Sequence, residues 1–127
     1  MAAFEAFAEA GRTLAAHGLV RASEGNLSTF DGTRLTITRT GCELETLAPG
    51  DILEGTLDEP PAEASTDLTI HLATYREHGE GAIAHAHPAG TVPEGWVEGE
   101  PHGVYGFGPT LSDAVRGIVD RAGRGTS

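Results

Sequence analysis

Between Ala3 and His17 the apolar positions Phe4, Phe7, Ala8, Gly11, Leu14 and Ala15 recur at steps of three and four residues, the stripe of an amphipathic helix, and Gly18 stands where such a helix would end. Two alternating runs follow, NLSTF and RLTITR, joined by the turn pair Asp31-Gly32. They predict a β-hairpin with Leu35 and Ile37 on one face and Thr36 and Thr38 on the other. Leu47 to Leu57 contains a Pro-Gly turn and a short strand at Asp51-Ile52-Leu53. Beyond the PPAEAS loop, Ser65 or Thr66 is placed to cap a helix that carries Leu68, His71, Leu72 and Tyr75 on one stripe and stops near Gly79.

The next run, GAIAHAHP, alternates again. Ile83, His85 and His87 fall on one face of a strand, Ala82, Ala84 and Ala86 on the other, and Pro88 ends it. Three alanines on one face predict close approach of another layer there. Ala89 to Pro109 is rich in Gly and Pro and reads as loops with short strands around Val92 and Val104. Thr110 and Asp113 then form a T-x-x-D capping box ahead of Leu111, Ala114, Val115, Ile118 and Val119, a last amphipathic helix. No internal repeat or low-complexity tract interrupts this order. Helix, strands, helix, strand, loop, helix predicts an α/β (α+β) fold around one mixed or antiparallel sheet, with residues 1–127 forming a single compact domain.

Composition narrows the chemistry. The formal charge is −11, and all eight basic residues are Arg, scattered from Arg12 to Arg124. An acidic chain without a basic cluster is a poor match for nucleic-acid phosphates or anionic lipid headgroups, so neither partner is expected. With no lysine, Schiff-base chemistry on a carbonyl is excluded, and any carbonyl chemistry needs a metal or another cofactor. The single cysteine, Cys42, cannot form an intramolecular disulfide. No stretch approaches the roughly 20 apolar residues of a membrane-spanning helix. Glu5 and Glu9 also occupy an opening that a signal peptide would make basic and then apolar. These features point to a cytoplasmic, reduced protein.

Candidate site residues cluster in a few segments. His85 and His87 are two apart on a strand, which puts both imidazoles on one side about 6.6 to 6.8 Å apart at the backbone, a spacing suited to two ligands of one metal ion. His102, in a glycine-bearing loop, can supply a third nitrogen and leave a position open, as catalytic zinc sites do. His17 and His78 fall at helix ends and read as dipole partners or exposed side chains. Asp67 and His71 are four apart and share a helix face. Three segments could cradle an anion with backbone amides and hydroxyls: Gly25-Asn26, Thr38 to Gly41, and Ser65-Thr66 at a helix N-terminus.

Seven segments in order resemble the class II aldolase/adducin family. They are GL at Gly18-Leu19, GNLS at Gly25 to Ser28, ITRTG at Ile37 to Gly41 and LAPGDI at Leu47 to Ile52. They continue as ASTDLTIHLATY at Ala64 to Tyr75, HAHP at His85 to Pro88 and HGVYGFGPTLSDA at His102 to Ala114. The resemblance implies a three-layer domain whose mostly antiparallel central sheet is flanked by helices. It also implies a divalent metal held by His85, His87 and His102, typically Zn2+ or another ion such as Mn2+, Co2+ or Fe2+. A phosphate pocket of Gly25, Asn26, Thr40, Gly41, Ser65 and Thr66 would face it. Ketone and hydroxyl oxygens of the substrate would chelate the metal, which stabilises the enediolate of carbon–carbon cleavage, so the missing lysine is expected.

Three departures from the family pattern shape the expectation. The family's "PSSE" acid, its general base, is Asp67 here, one methylene shorter. The stretch Ala89 to Pro101 is short where the family carries a long insert, so a more open pocket is expected. The chain also lacks the tail that can bring a proton-donating tyrosine from a neighbouring subunit, which leaves Tyr105 as the substitute. The resulting expectation is a metal-dependent lyase, an aldolase acting on a small phosphorylated or otherwise anionic hydroxyketone. Alternatives are a dehydratase or epimerase on the same fold, or a non-catalytic, adducin-like assembly domain. The family's ring assemblies imply a homo-oligomer, a tetramer. A cupin metalloenzyme is the rival fold, since Gly79 precedes His85-x-His87 at the cupin spacing. It fits worse, because Thr91 and Val92 stand where a ligand Glu is needed and three segments read as helix.

Overall fold

A computed structural model describes residues 2–20, 22, 24–65, 67–86 and 104–125. Helix α1 (Ala2–Ala16) leads into strands β1 (Asn26–Phe30) and β2 (Leu35–Thr38), then two 3-10 turns, Leu44–Thr46 and Pro49–Asp51, and strand β3 (Ile52–Gly55). Helix α2 (Leu68–His78), strands β4 (Gly81–Ala86) and β5 (Val104–Gly108) and helix α3 (Leu111–Gly125) follow. The hairpin forms at the expected turn, where the Asp31 carboxylate accepts the backbone N–H groups of Thr33 at 2.9 Å and Arg34 at 2.7 Å. The expected Thr110–Asp113 pair forms in part as a capping box: Thr110 Oγ1 accepts the Asp113 N–H at 3.2 Å, while the Asp113 carboxylate accepts the Thr110 hydroxyl at 2.9 Å.

The five strands make one fully antiparallel sheet in the order β3-β2-β1-β4-β5. Its register sorts side chains by parity. Leu27, Thr36, Ala82, Ala84, Ala86 and Val104 face α1 and α3, whereas Asn26, Ser28, Leu35, Ile83, His85 and Tyr105 face α2. The first face packs an apolar core with Phe7 and Leu14 of α1 and Leu111, Ala114, Val115 and Ile118 of α3. The three alanines of β4 are wholly buried in it, which is the close approach their small size predicts. On the other face Leu35, Tyr75 and Ile83 form a smaller cluster flanked by Phe30, Leu68 and Leu72. Helices therefore cover both faces of the sheet, a three-layer α/β arrangement.

Two local expectations change. Asp51 does not open a strand. It closes a 3-10 turn, where its carboxylate accepts the Ala48 N–H at 2.9 Å and pairs with Arg39 at 2.5 Å, and β3 begins one residue later. The Ala48 amide, with the Arg39 guanidinium, holds the Asp51 carboxyl below its ordinary value. Helix α2 does not take Ser65 as its N-cap residue, and Thr66 lies outside the described residues. Asp67 is its N-cap residue and makes no side-chain cap bond. The strand expected around Val92, and the end of the β4 run at His87 and Pro88, lie outside the described residues.

Helix α1 approaches the first 3-10 turn so closely that a Cβ on Gly11 would run into the Leu44 carbonyl oxygen. Backbone cannot swing away as a flexible side chain can, so the clash outweighs the helix propensity gained, about 1 kcal/mol for Gly to Ala. Gly11→Ala is expected to destabilise the fold by about 1 kcal/mol or more. The urea midpoint should fall while the slope of the unfolding transition stays unchanged.

Candidate functional site

One end of the sheet gathers the chemistry. Because β1 and β2 are antiparallel, the start of β1 lies beside the end of β2, and the Leu27 N–H donates to Thr38 Oγ1 at 3.2 Å. An isolated bridge between Arg39 and Ala64 brings the approach to α2 alongside, with the Ser65 N–H donating to Thr38 O at 3.2 Å and the Thr40 N–H to Glu63 O at 2.9 Å. The Arg39–Asp51 pair braces this junction from the other side. Gly25-Asn26, Thr38 to Gly41 and Ser65, the described parts of the three anion-cradle segments, are thus neighbours in space. Gly25 is required twice over. Its φ is +83°, and a Cβ there would fall 2.7 Å from the His85 carbonyl oxygen and 2.8 Å from Val20 Cγ1.

Asn26, His85 and Tyr105 come from adjacent strands at this end, where the register pairs Asn26 with His85 and His85 with Tyr105. His85 is fully buried, and the Tyr105 ring stacks on its imidazole at 4.0 Å with 4° between the planes. Such stacking holds the imidazole plane against rotation. Asp67, from the first turn before α2, projects onto the same spot. Its Oδ2 lies 2.8 Å from His85 Nδ1 and accepts a hydrogen bond of 2.8 Å from Asn26 Nδ2. The shorter acid therefore reaches the site histidine. Ser65 Oγ accepts the Asp67 N–H at 3.2 Å, which fixes the turn from which the carboxylate projects.

Behind Asp67 a line of polar side chains runs under α2. Asn26 Oδ1 lies 2.5 Å from His71 Nε2, His71 Nδ1 lies 2.6 Å from Ser28 Oγ, and Ser28 Oγ lies 2.7 Å from the Tyr75 hydroxyl. Asn26 is 3% exposed, and Ser28 and His71 are fully buried. Burial, with the nearby His85, drives the His71 pKa down to about 3, so its imidazole is neutral at physiological pH. Burial likewise pushes the Tyr75 hydroxyl upward, keeping it a hydroxyl and a proton donor. Cys42 is buried and its thiol is also pushed up by desolvation, which suits a packed side chain rather than a nucleophile.

A carboxylate oxygen and an imidazole nitrogen 2.8 Å apart require a proton or a cation between or beside them. Carboxylate oxygen and imidazole nitrogen are both ordinary ligands of zinc and related ions, so the donor chemistry at Asp67 and His85 fits a divalent metal. His87 and His102, the other expected ligands, and Thr66 of the cradle lie outside the described residues. Among the described residues no group of three or more His, Cys, Asp or Glu side chains forms a metal cluster.

Sequence reasoning singled out Asn26, Asp67, His85 and Tyr105 but missed Ser28 and read Tyr75 only as part of an apolar stripe. The signal was nevertheless periodic. Asp67, His71 and Tyr75 are spaced by four along a helix, and Asn26 and Ser28 by two along a strand, so both sets face one another across the seam.

The depressed His71 pKa has a measurable consequence. Its folded value lies below the ordinary 6.5, so on acidification the unfolded chain takes up a proton that the folded chain refuses. The stability His71 contributes is present above about pH 6.5 and lost as pH falls toward 3, by about 1 kcal/mol per pH unit. Replacing it with a side chain that cannot protonate, His71→Gln, should flatten this loss. Between pH 7 and pH 5 the gap in urea stability separating wild type from His71→Gln should shift by about 2 kcal/mol against wild type. Parallel stability curves would show that His71 protonates as readily in the folded chain as in the unfolded one.

The chain is 38% identical over 88 residues to a methylthioribulose-1-phosphate dehydratase of a Bradyrhizobium species, a match covering 67% of this chain and 41% of that protein. It is 37% identical to the L-fuculose-1-phosphate aldolase of Thermus thermophilus, with a TM-score of 0.62 over 67% of this chain and 46% of that one. In both, this chain spans less than half the length of its relative. YgbL of Klebsiella pneumoniae shares the fold more completely, with a TM-score of 0.77 over 96% of this chain and 86% of that one at 19% identity. Residues 5–93 match the Class II Aldolase and Adducin N-terminal domain, and the chain belongs to that family.

Proposed function

We propose that this chain is a divalent-metal-dependent lyase acting on a small phosphorylated hydroxyketone. The observation that carries the reading is the meeting of the Asp67 carboxylate and the His85 imidazole at 2.8 Å, at the sheet end where the three amide- and hydroxyl-bearing turns converge. In this proposal His85, with His87 and His102, holds the metal, and Gly25, Asn26, Thr40, Gly41, Ser65 and Thr66 line the phosphate site. Of these, Asn26 has its side-chain amide engaged with neighbouring side chains, so its contribution to the cradle would come from its backbone. When bound, the metal supplies Lewis acidity toward the carbonyl and hydroxyl oxygens of the substrate.

The chain's own residues do the rest. Asp67 exchanges a proton with the substrate carbon next to the ketone, and its hydrogen bond from Asn26 keeps one carboxylate oxygen aimed at that spot. In the cleavage direction a second proton leaves the hydroxyl whose oxygen becomes the aldehyde oxygen, and Tyr105, held against His85, is the candidate to relay it. The relatives named for an aldolase and a dehydratase leave two reactions for the same groups. In cleavage Asp67 returns a proton to the carbon next to the ketone after the carbon–carbon bond breaks, and in dehydration it removes the proton from that carbon. Aldol cleavage breaks the carbon–carbon bond, whereas dehydration expels a hydroxyl from the neighbouring carbon. Aldol cleavage is the reading preferred here, with dehydration favoured as the second by the identity to the dehydratase. A non-catalytic, adducin-like assembly role draws no support from these polar contacts, and the homotetramer expected of the enzyme remains part of this proposal.

Protein purified without chelator is expected to carry about one divalent ion per chain by elemental analysis, and His85→Ala to lose it. A folded, metal-free wild type would sink the reading. In assays on phosphorylated ketoses, release of an aldehyde identifies cleavage and a dehydrated ketone identifies dehydration. Asp67→Asn should retain the metal while lowering turnover by about 10²- to 10⁴-fold, the scale of a lost general base.

A further inference from the structure

We propose that His71 is a positioning residue: as the Nε2–H tautomer it fixes the Asn26 carboxamide, and through it the Asp67 carboxylate. The inference rests on the role given above to Asp67. A side-chain amide has two ends of nearly equal shape, and a half-turn exchanges a donor for an acceptor. One end of Asn26 lies 2.8 Å from Asp67 Oδ2 and the other 2.5 Å from His71 Nε2. Only one of the two settings serves an ionised carboxylate, the one that presents the amide NH2 to Asp67 and the carbonyl oxygen to His71.

The histidine enforces that setting through its second nitrogen. A neutral imidazole carries one N–H and one acceptor nitrogen. If Nε2 is protonated, it donates to Asn26 Oδ1, and Nδ1 accepts from the Ser28 hydroxyl at 2.6 Å. Ser28 has then used its only proton and must accept from Tyr75 at 2.7 Å. Every donor meets an acceptor, and the chain of bonds points one way, from Tyr75 to Asp67. If instead Nδ1 carried the proton, Nε2 would need a donor from Asn26. The Asn26 oxygen would then oppose the Asp67 oxygen, two acceptors at 2.8 Å, which an ionised carboxylate cannot tolerate.

The wild-type chain tests this directly by long-range proton–nitrogen NMR of its imidazoles at pH 7, with His71 assigned by its absence in His71→Gln. The expected result is a protonated Nε2, a bare Nδ1 and an Asn26 NH2 pair protected from solvent exchange. Gln can still donate to Asn26 and accept from Ser28, so His71→Gln should keep the protected pair, whereas His71→Leu should lose it. In a Co2+ titration followed by absorbance, His71→Leu should raise the dissociation constant about 10- to 100-fold, the scale for loss of a group supporting metal ligands, and His71→Gln should recover most of that. An Nδ1–H or doubly protonated His71, or an unchanged Asn26 pair in folded His71→Leu, would overturn the inference. A wild type that takes up no Co2+ would instead remove the metal reading, and the NMR signals alone would then decide the role of His71.

Discussion

A buried imidazole under α2 must find partners for both nitrogens, and much of the site end of this molecule follows from that demand. His71 cannot reach water, and leaving either nitrogen unsatisfied would cost about 1–3 kcal/mol, a large share of a small domain's net stability. Ser28 and Asn26 meet the demand from one strand, two residues apart, because strand parity places them together on the face below the helix. Helix α2 is therefore seated by hydrogen bonds as well as by its small apolar cluster, where α1 and α3 are seated by apolar contact. A hydrogen-bonded seam has direction and register that an apolar one lacks, and this fixes where the first turn of α2 delivers Asp67.

The two faces of the sheet divide the work accordingly. On the α1/α3 side Ala82, Ala84 and Ala86 admit close packing into a large apolar cluster. On the α2 side the same strand places Ile83 and His85, so apolar packing gives way to polar contact within two residues. The apolar layer can carry the stability while the polar layer accepts the costs of a reactive arrangement. Strand β4 belongs to both layers at once, its odd positions serving the site and its even positions the core. A one-residue slip would exchange them, which is why the alternation itself specifies the site.

That alternation explains how much could be read from the sequence. Periodic patterns located the three α-helices, the β1–β2 hairpin and β4, and placed His85, Asp67 and His71 on definite faces. They showed β3 and β5 only as short strands near Ile52 and Val104 and did not anticipate the two 3-10 turns. What they missed was pairing across elements. Nothing local says that Ser28 faces His71 forty-three residues away, or that Asp51 closes a turn on Arg39 instead of opening a strand. Tyr75 read as apolar because its ring packs among Leu35 and Ile83, and only its hydroxyl joins the seam. Motif order was more informative than any single residue, since Gly25-Asn26, Thr40-Gly41 and Ser65 lie far apart in sequence and became one locality only through strand order and the Arg39–Ala64 bridge.

The departure at Asp67 also takes on a physical meaning. An aspartate at an N-cap ordinarily accepts an N–H of its own helix, a contact worth about 1 kcal/mol. Asp67 occupies that position in α2 and forgoes the bond, its Oδ2 lying instead against Asn26 and His85. A longer acid would project beyond the helix start without giving up any cap. A shorter one reaches His85 only because it sits at the cap and the helix start lies close to β1 and β4. The missing methylene is thus compensated by where the helix begins, and that in turn is set by Ser65 and by the seam at His71. Shortening the acid while keeping its reach requires the same placement of α2 that the buried histidine enforces.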